Sequence, residues 1–157
     1  KTWIKTLENS RSVRCLEMYL NAEKIVGCET FWVVINTKTR RPDNLALPHT
    51  HFEKFDTDSI LNPIQKINIP EVFTFKNERK ILLSDIDIVN HANNVKYLEW
   101  CLDVTNVETV LSQKIKTLNL NYLQELNYND AIEIHHTTTS FLITKEGKSC
   151  FALEVEI

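Results

Sequence analysis

The fold of this chain is indicated by residues 84–100, which have the sequence SDIDIVNHANNVKYLEW. The first ten residues form a polar run rich in Asp and Asn, which is typical of a loop. From about Asn94 to about Leu111 apolar residues dominate, and the polar ones recur at helical spacing: Lys96, Glu99, Asp103 and Asn106. A helix with so little polar surface predicts that neighbouring elements cover most of its sides.

Strand patterns lie on both sides of this helix. Residues 72–84 precede the loop, and segments at about 114–126, 131–143 and 149–157 follow the helix. Apolar residues alternate along the last segment, and the glycine-containing run 145–148 before it is typical of a hairpin turn. This order predicts an α+β domain in which a curved antiparallel sheet wraps one central helix.

The first part of the chain contains strand patterns without a helix. Segments at about 2–7, 12–20 and 31–35 are separated by short polar stretches, and the last is a β-branched and aromatic run. All four prolines follow these strands, which predicts a linker with at most short helical turns. We therefore expect three regions: a partial domain at 1–41, a linker at 42–71 and a second domain at 72–157.

The partial domain is expected to leave one apolar sheet face uncovered. Lys1 stands directly before the first predicted strand, so we expect the natural chain to continue upstream. Either upstream residues or a second copy of the chain would cover the face, and the second arrangement predicts a homodimer.

The loop before the helix gathers groups that suit acyl-transfer chemistry. Residues 84–94 contain two carboxylates, one histidine and three amides. Unpaired backbone N–H groups at a helix start carry partial positive charge and stabilise an oxyanion. A carboxylate and an imidazole supply a general base or nucleophile and a proton carrier. The alternative is structural, since Asp and Asn before a helix are ordinary caps.

The same stretch resembles the signature of the acyl-acyl-carrier-protein (acyl-ACP) thioesterases of plants and bacteria, whose pattern is close to SD-L/I-D-x-N-x-H-x-NN-V-K-Y. Residues 31–42 (FWVVINTKTRRP) are similar to the segment that closes the family's first hot-dog domain. Residues 120–125 (LNYLQE) resemble the strand that carries its catalytic glutamate. The resemblance implies tandem hot-dogs, of which the first binds the acyl chain and the second hydrolyses the fatty acyl-ACP thioester without a cofactor.

Carried over residue by residue, the resemblance implies a catalytic set and a supporting set. The catalytic residues are Asp87, His91 and Glu125, and the loop and oxyanion support comes from Asn90, Asn93 and Asn94. The glutamate would activate water or attack the thioester, the histidine would orient or polarise that step, and the aspartate would hold the loop in register. Backbone donors near Asn93 and Asn94 would stabilise the oxyanion.

The sequence departs from the family pattern at two positions. Val89 replaces the family's asparagine, and the neighbouring Asn90 would substitute for it after a small loop shift. Leu126 stands where a cysteine often follows the family's glutamate, which leaves a carboxylate mechanism. Strand alternation places Glu125 on the more polar face of its strand, so an ordinary solvated carboxylate is the alternative for that residue.

Composition excludes several classes of protein. The formal charge of −3 argues against non-specific nucleic-acid binding. Only two glycines are present, which rules out glycine-rich phosphate loops. No apolar run approaches the roughly 18 residues that a membrane span needs. The four cysteines lack CxxC spacing, which indicates reduced thiols in a cytosolic protein. The resemblance implies a bacterial cytoplasm or, for a plant protein, a plastid.

Two further clusters are candidate binding sites. The histidines in HxH at 49–51, in the linker, and in the adjacent pair at 135–136 do not predict a metal site, because a site needs a third and fourth ligand at suitable geometry. The pair at 135–136 lies in a predicted strand, where adjacent residues point to opposite faces. The basic cluster Lys38, Arg40 and Arg41 either meets an acidic carrier protein or forms a solvated turn.

The resemblance implies an acyl carrier protein and a fatty acyl chain as partners. Hydrolysis of an acyl-CoA by a related hot-dog enzyme is an alternative, although the sequence has no clear coenzyme A signature. An inactive acyl-binding or assembly module is a third hypothesis, which Val89 and the partial first domain favour.

Overall fold

The structure is a computed structural model that describes residues 1–39, 41–46, 48–62 and 64–157. Its contacts divide the chain into two compact units, Lys1–Gln65 and Lys66–Ile157. This division falls inside the predicted linker, and the three-region assignment of the sequence stays a prediction. Arg40 of the basic cluster and Pro63 of the proline-rich segment lie outside the described residues.

The first unit contains a three-stranded antiparallel sheet in the order β1-β2-β3. Its strands are β1 (Thr2–Glu8), β2 (Arg11–Leu20) and β3 (Glu23–Val33). The three predicted strands are therefore confirmed, although the third begins earlier than its aromatic run suggested. Both connecting turns use residues with positive φ: Asn9 at 50°, Asn21 at 47° and Ala22 at 68°.

An irregular segment of the first unit, residues 55–59, is bonded to this sheet. The Phe55 amide donates to the Ile4 carbonyl over 2.9 Å, and the Ser59 hydroxyl donates to the Cys28 carbonyl over 2.7 Å. A Cβ at Gly27 would overlap the Ser59 carbonyl oxygen, so this glycine permits the close approach. Part of the proline-rich region thus packs as a fixed component of the first unit.

The second unit contains a five-stranded antiparallel sheet in the order β4-β6-β7-β8-β5. Its strands are β4 (Phe75–Lys80), β5 (Thr117–Tyr122), β6 (Ala131–His136), β7 (Ser140–Lys145) and β8 (Lys148–Glu156). Its helices are α1 (Asn94–Asp103) and the short α2 (Val107–Leu111), and a single 3-10 turn spans Leu83–Asp85.

Helix α1 supplies two of the large aromatic side chains of the core, Tyr97 and Trp100. Tyr97, Trp100 and Cys101 are buried and pack with apolar residues of the sheet, including Phe151 of β8. Each large apolar side chain buried in this way contributes roughly 1.5–3 kcal/mol. Val95 remains 59% exposed, so the prediction that most sides of the helix are covered holds only for the face toward the sheet of this unit.

The prediction of one helix from about 94 to 111 is wrong at Val104–Asn106, where the helix is interrupted. The Thr105 hydroxyl donates to the Cys101 carbonyl over 2.8 Å, and the Thr105 amide donates to the Leu102 carbonyl. The Asn106 side chain then accepts from the Glu108 amide and caps α2. Short polar side chains bonded to the backbone compete with helix continuation, which explains the break.

Three predicted strands are also shorter than expected. The segment 72–84 contains a strand only from Phe75 to Lys80. The segment 131–143 is a hairpin of β6 and β7, in which the Thr137 hydroxyl oxygen accepts from the amides of Thr139 and Ser140. Threonine side chains that bond the following backbone are typical of such turns. The segment 114–126 contains a strand only from Thr117 to Tyr122.

Candidate active site

The loop before α1 is closed at its base by Asp85. This carboxylate is only 3% exposed, and its Oδ2 accepts from the Leu82 amide over 2.8 Å. The Arg79 guanidinium lies 3.5 Å from its Oδ1. The Asp85 carbonyl oxygen accepts from the Asn93 amide over 2.8 Å, so the beginning and end of the loop are joined.

Asp87 organises the tip of the loop. Its Oδ1 accepts from the Val89 amide over 2.9 Å and from the His91 amide over 3.3 Å. Its own amide donates to the His91 carbonyl over 2.9 Å, which closes the turn a second time. An aspartate that bonds the backbone two residues ahead is a standard turn device. This geometry fits the predicted role of Asp87 in holding the loop.

The exposed tip of the loop contains Val89, which stands at the position of the family's asparagine, and the neighbouring Asn90. Val89 is 65% exposed, and its amide is bonded to Asp87. Asn90 has a φ of 66°, a conformation that asparagine adopts more readily than most residues. Backbone conformation is thus a local reason for asparagine here, and its supporting role in catalysis stays a prediction.

The start of α1 leaves one amide available. The Asn93 side chain accepts from the Val95 amide over 3.0 Å, and its carbonyl accepts from the Lys96 amide. The amide of Asn93 itself is engaged by Asp85. Among the described residues, the Asn94 amide is the one in this first turn that has no acceptor. The Asn93 amide is therefore not available to an oxyanion, and the contribution of the Asn94 amide stays a prediction.

Glu125 follows β5 and does not belong to the strand. The Leu123 and Gln124 amides both donate to the Cys150 carbonyl, over 2.9 and 3.0 Å, which ends the regular pairing. The prediction that the strand continues through Glu125 is therefore wrong, because β5 ends at Tyr122. The expectation of a solvated position for its carboxylate agrees with its exposure. The Glu125 side chain is 47% exposed, while the next residue, Leu126, is fully buried.

The structure brings two of the three predicted catalytic side chains together. His91 Nε2 lies 3.6 Å from Glu125 Oε2, and the histidine side chain is 34% exposed. The separation is within ion-pair range but longer than a direct hydrogen bond. Asp87 is hydrogen-bonded to the backbone amide and carbonyl of His91. Both side chains therefore remain accessible to water and to a substrate carbonyl.

An aromatic cluster lies on the core side of this region. The ring of Tyr97 packs 5.4 Å from Phe151 and 5.5 Å from Tyr122, centroid to centroid. Burial raises the pKa of Tyr97 to about 12 and that of the Cys101 thiol to about 12. Neither group is ionised near neutral pH, so neither serves as a base or thiolate nucleophile.

The sequence predicts no role for two residues of this arrangement, Asp85 and Tyr97. The burial of Asp85 and its bond to the end of the loop depend on tertiary packing. The Tyr97 hydroxyl accepts from the Leu126 amide over 3.0 Å. A phenol one turn into an apolar helix is the sequence signal for such a bond, since a buried hydroxyl usually has a partner.

The two adjacent histidines of β6, His135 and His136, lie within hydrogen-bond distance of neighbouring side chains. In β6, His136 Nε2 lies 3.1 Å from Asn77 Oδ1, and His135 Nε2 lies 3.2 Å from both Glu133 and Thr144. Among residues 1–39, 41–46, 48–62 and 64–157, no three His, Cys, Asp or Glu side chains are arranged to hold a metal ion. Within the same ranges, no helix combines the length and apolar character of a membrane span.

Comparison with known proteins identifies the second unit. Residues 71–156 match the family described as the acyl-ACP thioesterase C-terminal domain. A palmitoyl-acyl carrier protein thioesterase of Cuphea hookeriana, named as chloroplastic, is 31% identical over 121 residues. An oleoyl-acyl carrier protein thioesterase of Arabidopsis thaliana is 27% identical over 122 residues. These matches cover 71% and 69% of this chain but only 28% and 33% of the relatives.

Two solved structures have the same fold. An acyl-ACP thioesterase from Bacteroides thetaiotaomicron superposes with a TM-score of 0.82 at 21% identity, covering 98% of this chain and 65% of the other. A 12:0-ACP thioesterase from Umbellularia californica gives 0.74 at 18% identity, covering 99% of this chain and 63% of the other. The predicted α+β hot-dog fold is thereby confirmed. The chain belongs to the acyl-ACP thioesterase family.

Proposed function

We propose that this chain supplies the hydrolytic site of an enzyme that converts fatty acyl-ACP and water into a free fatty acid and holo-ACP. Family membership supports the thioesterase class, and the names of the curated relatives point to acyl-carrier-protein thioesters. The observation that carries the proposal is the 3.6 Å approach of His91 Nε2 and Glu125 Oε2 in the two segments joined to the start of α1.

In the proposed reaction, the Glu125 carboxylate accepts a proton from a water molecule as the water oxygen attacks the thioester carbonyl carbon. The 47% exposure of this side chain favours the water route over direct attack by the carboxylate. The neighbouring His91 imidazole orients the carboxylate and the water. The C–S bond then breaks, and the proton held by Glu125 passes to the leaving sulfur of the carrier.

Two groups support this step without exchanging protons. The Asn94 amide at the start of α1 stabilises the oxyanion of the tetrahedral intermediate. The Asp87 Oδ1 is already occupied by the amides of Val89 and His91, so this carboxylate positions the loop. Val89 does not interfere with this scheme, because its exposed side chain lies at the loop tip.

The test is Glu125→Gln in the full-length protein, assayed by steady-state hydrolysis of a purified fatty acyl-ACP. Loss of the base is expected to reduce kcat by about 10²–10³-fold. The matched control is Glu133→Gln, which removes the carboxylate of a second histidine–glutamate pair in the same unit and is expected to leave kcat within about 2-fold. Hydrolysis that survives Glu125→Gln would exclude the proposed base.

The same preparation distinguishes the competing functions. We expect kcat/KM for acyl-ACP to exceed that for the acyl-CoA of the same chain length by at least about 10-fold, a difference of roughly 1.4 kcal/mol. A preference for acyl-CoA would replace the carrier protein as the substrate and leave the site intact. A protein that binds acyl-ACP but turns over neither thioester would be an inactive acyl-binding module.

A further inference from the structure

Leu126 is held through its amide by α1 and through its carbonyl by the loop before α1. Its amide donates to the Tyr97 hydroxyl oxygen over 3.0 Å, and its carbonyl accepts from the Ala92 amide over 2.8 Å. Leu126 is fully buried and Tyr97 is 2% exposed, so bulk water does not compete for the first bond. These bonds join the chain neighbours of the proposed catalytic pair, because Glu125 precedes Leu126 and His91 precedes Ala92.

The hydroxyl of Tyr97 has a role separate from that of its ring. The ring packs 5.2 Å from Trp100 and 5.4 Å from Phe151, contacts that a phenylalanine would keep. The hydroxyl oxygen is the acceptor for the buried Leu126 amide. A buried amide that loses its acceptor is costly, so the segment around Leu126 would shift to find another one.

We propose that Tyr97 is a positioning residue for thioester hydrolysis, whose hydroxyl fixes Leu126 and thereby holds the Glu125 carboxylate opposite His91. The inference rests on the proposed function of the Glu125–His91 pair. Tyr97 acts through the backbone of the residue after the base and does not contact the reacting atoms. A small displacement of a catalytic group lowers the rate strongly, so the loss of one hydroxyl is expected to appear in kcat.

The kinetic test is a double-mutant cycle of Tyr97→Phe and Glu125→Gln. Alone, Tyr97→Phe is expected to reduce kcat for acyl-ACP on the order of 10-fold and to change KM less than about 2-fold. In the Glu125→Gln background the same substitution is expected to change the residual rate less than about 2-fold, because the group it positions is gone. A general loss of folded protein would instead reduce the rate equally in both backgrounds.

Amide hydrogen exchange tests the bond itself, independently of activity. Tyr97→Phe is expected to increase the exchange rate of the Leu126 amide at least about 10-fold, with a smaller increase at Ala92. The matched variant is Tyr122→Phe, which removes a hydroxyl bonded to the Asn94 carbonyl over 2.9 Å in the same aromatic cluster. It is expected to leave Leu126 exchange unchanged.

The outcomes separate this inference from the proposed function. Full activity in Glu125→Gln would overturn the proposed function. The positioning role alone would be overturned by a large loss of kcat in Glu125→Gln combined with either of two results for Tyr97→Phe. In the first, Tyr97→Phe leaves kcat unchanged. In the second, it lowers the rate by the same factor with and without Glu125→Gln. Unchanged exchange at Leu126 in Tyr97→Phe would overturn the bond on which that role depends. Coupled kinetics with faster Leu126 exchange would support the inference.

Discussion

The second unit contains two histidine–glutamate pairs whose surroundings differ. His91 and Glu125 are 3.6 Å apart and lie in separate loop segments that are 34 residues apart in sequence. His135 and Glu133 are 3.2 Å apart and are two residues apart on one strand, β6. Regular strand geometry alone brings His135 and Glu133 together, since alternate residues of a strand share a face.

The charges around the two pairs explain why proximity does not identify a base. Glu133 Oε1 lies 2.6 Å from Lys76 Nζ, and this bond is the main cause that lowers the pKa of Glu133. A carboxylate held ionised in this way is a weaker proton acceptor. The Glu125 segment is instead bonded to the start of α1, where the Asn94 amide is available. The difference indicates that the bonding of the Glu125 segment beside the helix start, and not proximity alone, distinguishes the candidate pair.

The largest expected effect is a difference in kcat between the alanine variants of His91 and His135. His91→Ala is expected to reduce kcat for acyl-ACP by about 10²–10³-fold, because the imidazole beside the proposed base is lost. His135→Ala is expected to leave kcat within about 2-fold, although it removes the histidine of the closer pair. Steady-state kinetics on both variants, with circular dichroism as the folding control, measures this contrast. Equal losses in the two variants would abolish the distinction between the pairs.

An intermediate effect is expected at Asp87, and it tests geometry against charge. Asp87→Ala removes the acceptor of the Val89 and His91 amides, and kcat is expected to fall roughly 10–100-fold as the loop loses its register. Asp87→Asn keeps an Oδ1 acceptor and is expected to retain at least about a third of the wild-type kcat. Parallel assays on both variants decide between the roles. An equal loss in the asparagine variant would show that the negative charge is required.

Local pattern was sufficient for most of the fold but not for its interruptions. The apolar face of α1 reflects burial against one sheet, so its periodicity predicts it directly. The alternation predicted for β8 is not matched by its burial, because Cys150, Phe151, Ala152 and Leu153 are all buried. The break after α1 depends on Thr105 and Asn106, whose side chains bond nearby backbone groups. Such bonds are available to these residues in many contexts, and tertiary packing decides whether they form.

The same limit applies to the candidate site. The positions of Asp87 and His91 follow from a local motif, because a turn before a helix brings them close whatever surrounds it. The location of Glu125 depends on the Cys150 carbonyl, which accepts from two successive amides and ends β5. The sequence pattern of residues 117–126 does not predict these two bonds. The resemblance to the family identifies Glu125 as the candidate. The two bonds to the Cys150 carbonyl explain why this residue lies outside β5.

The smallest expected effect concerns stability and belongs to the second pair. The pKa of Glu133 is lowered, mainly by the Lys76 bond, so its pairing stabilises the folded state above the pKa of the unfolded carboxyl, near 4.5. That contribution is lost as the pH falls through the lower pKa of the folded state. Between about pH 6 and pH 3, the melting temperature of Glu133→Gln is therefore expected to fall slightly less than that of the wild type. Lys76→Met should reproduce the flatter acid profile, because it removes the main cause of the lowered pKa. A steeper profile in either variant would contradict the assigned sign. Neither side chain belongs to the proposed catalytic site, so neither variant is expected to alter kcat.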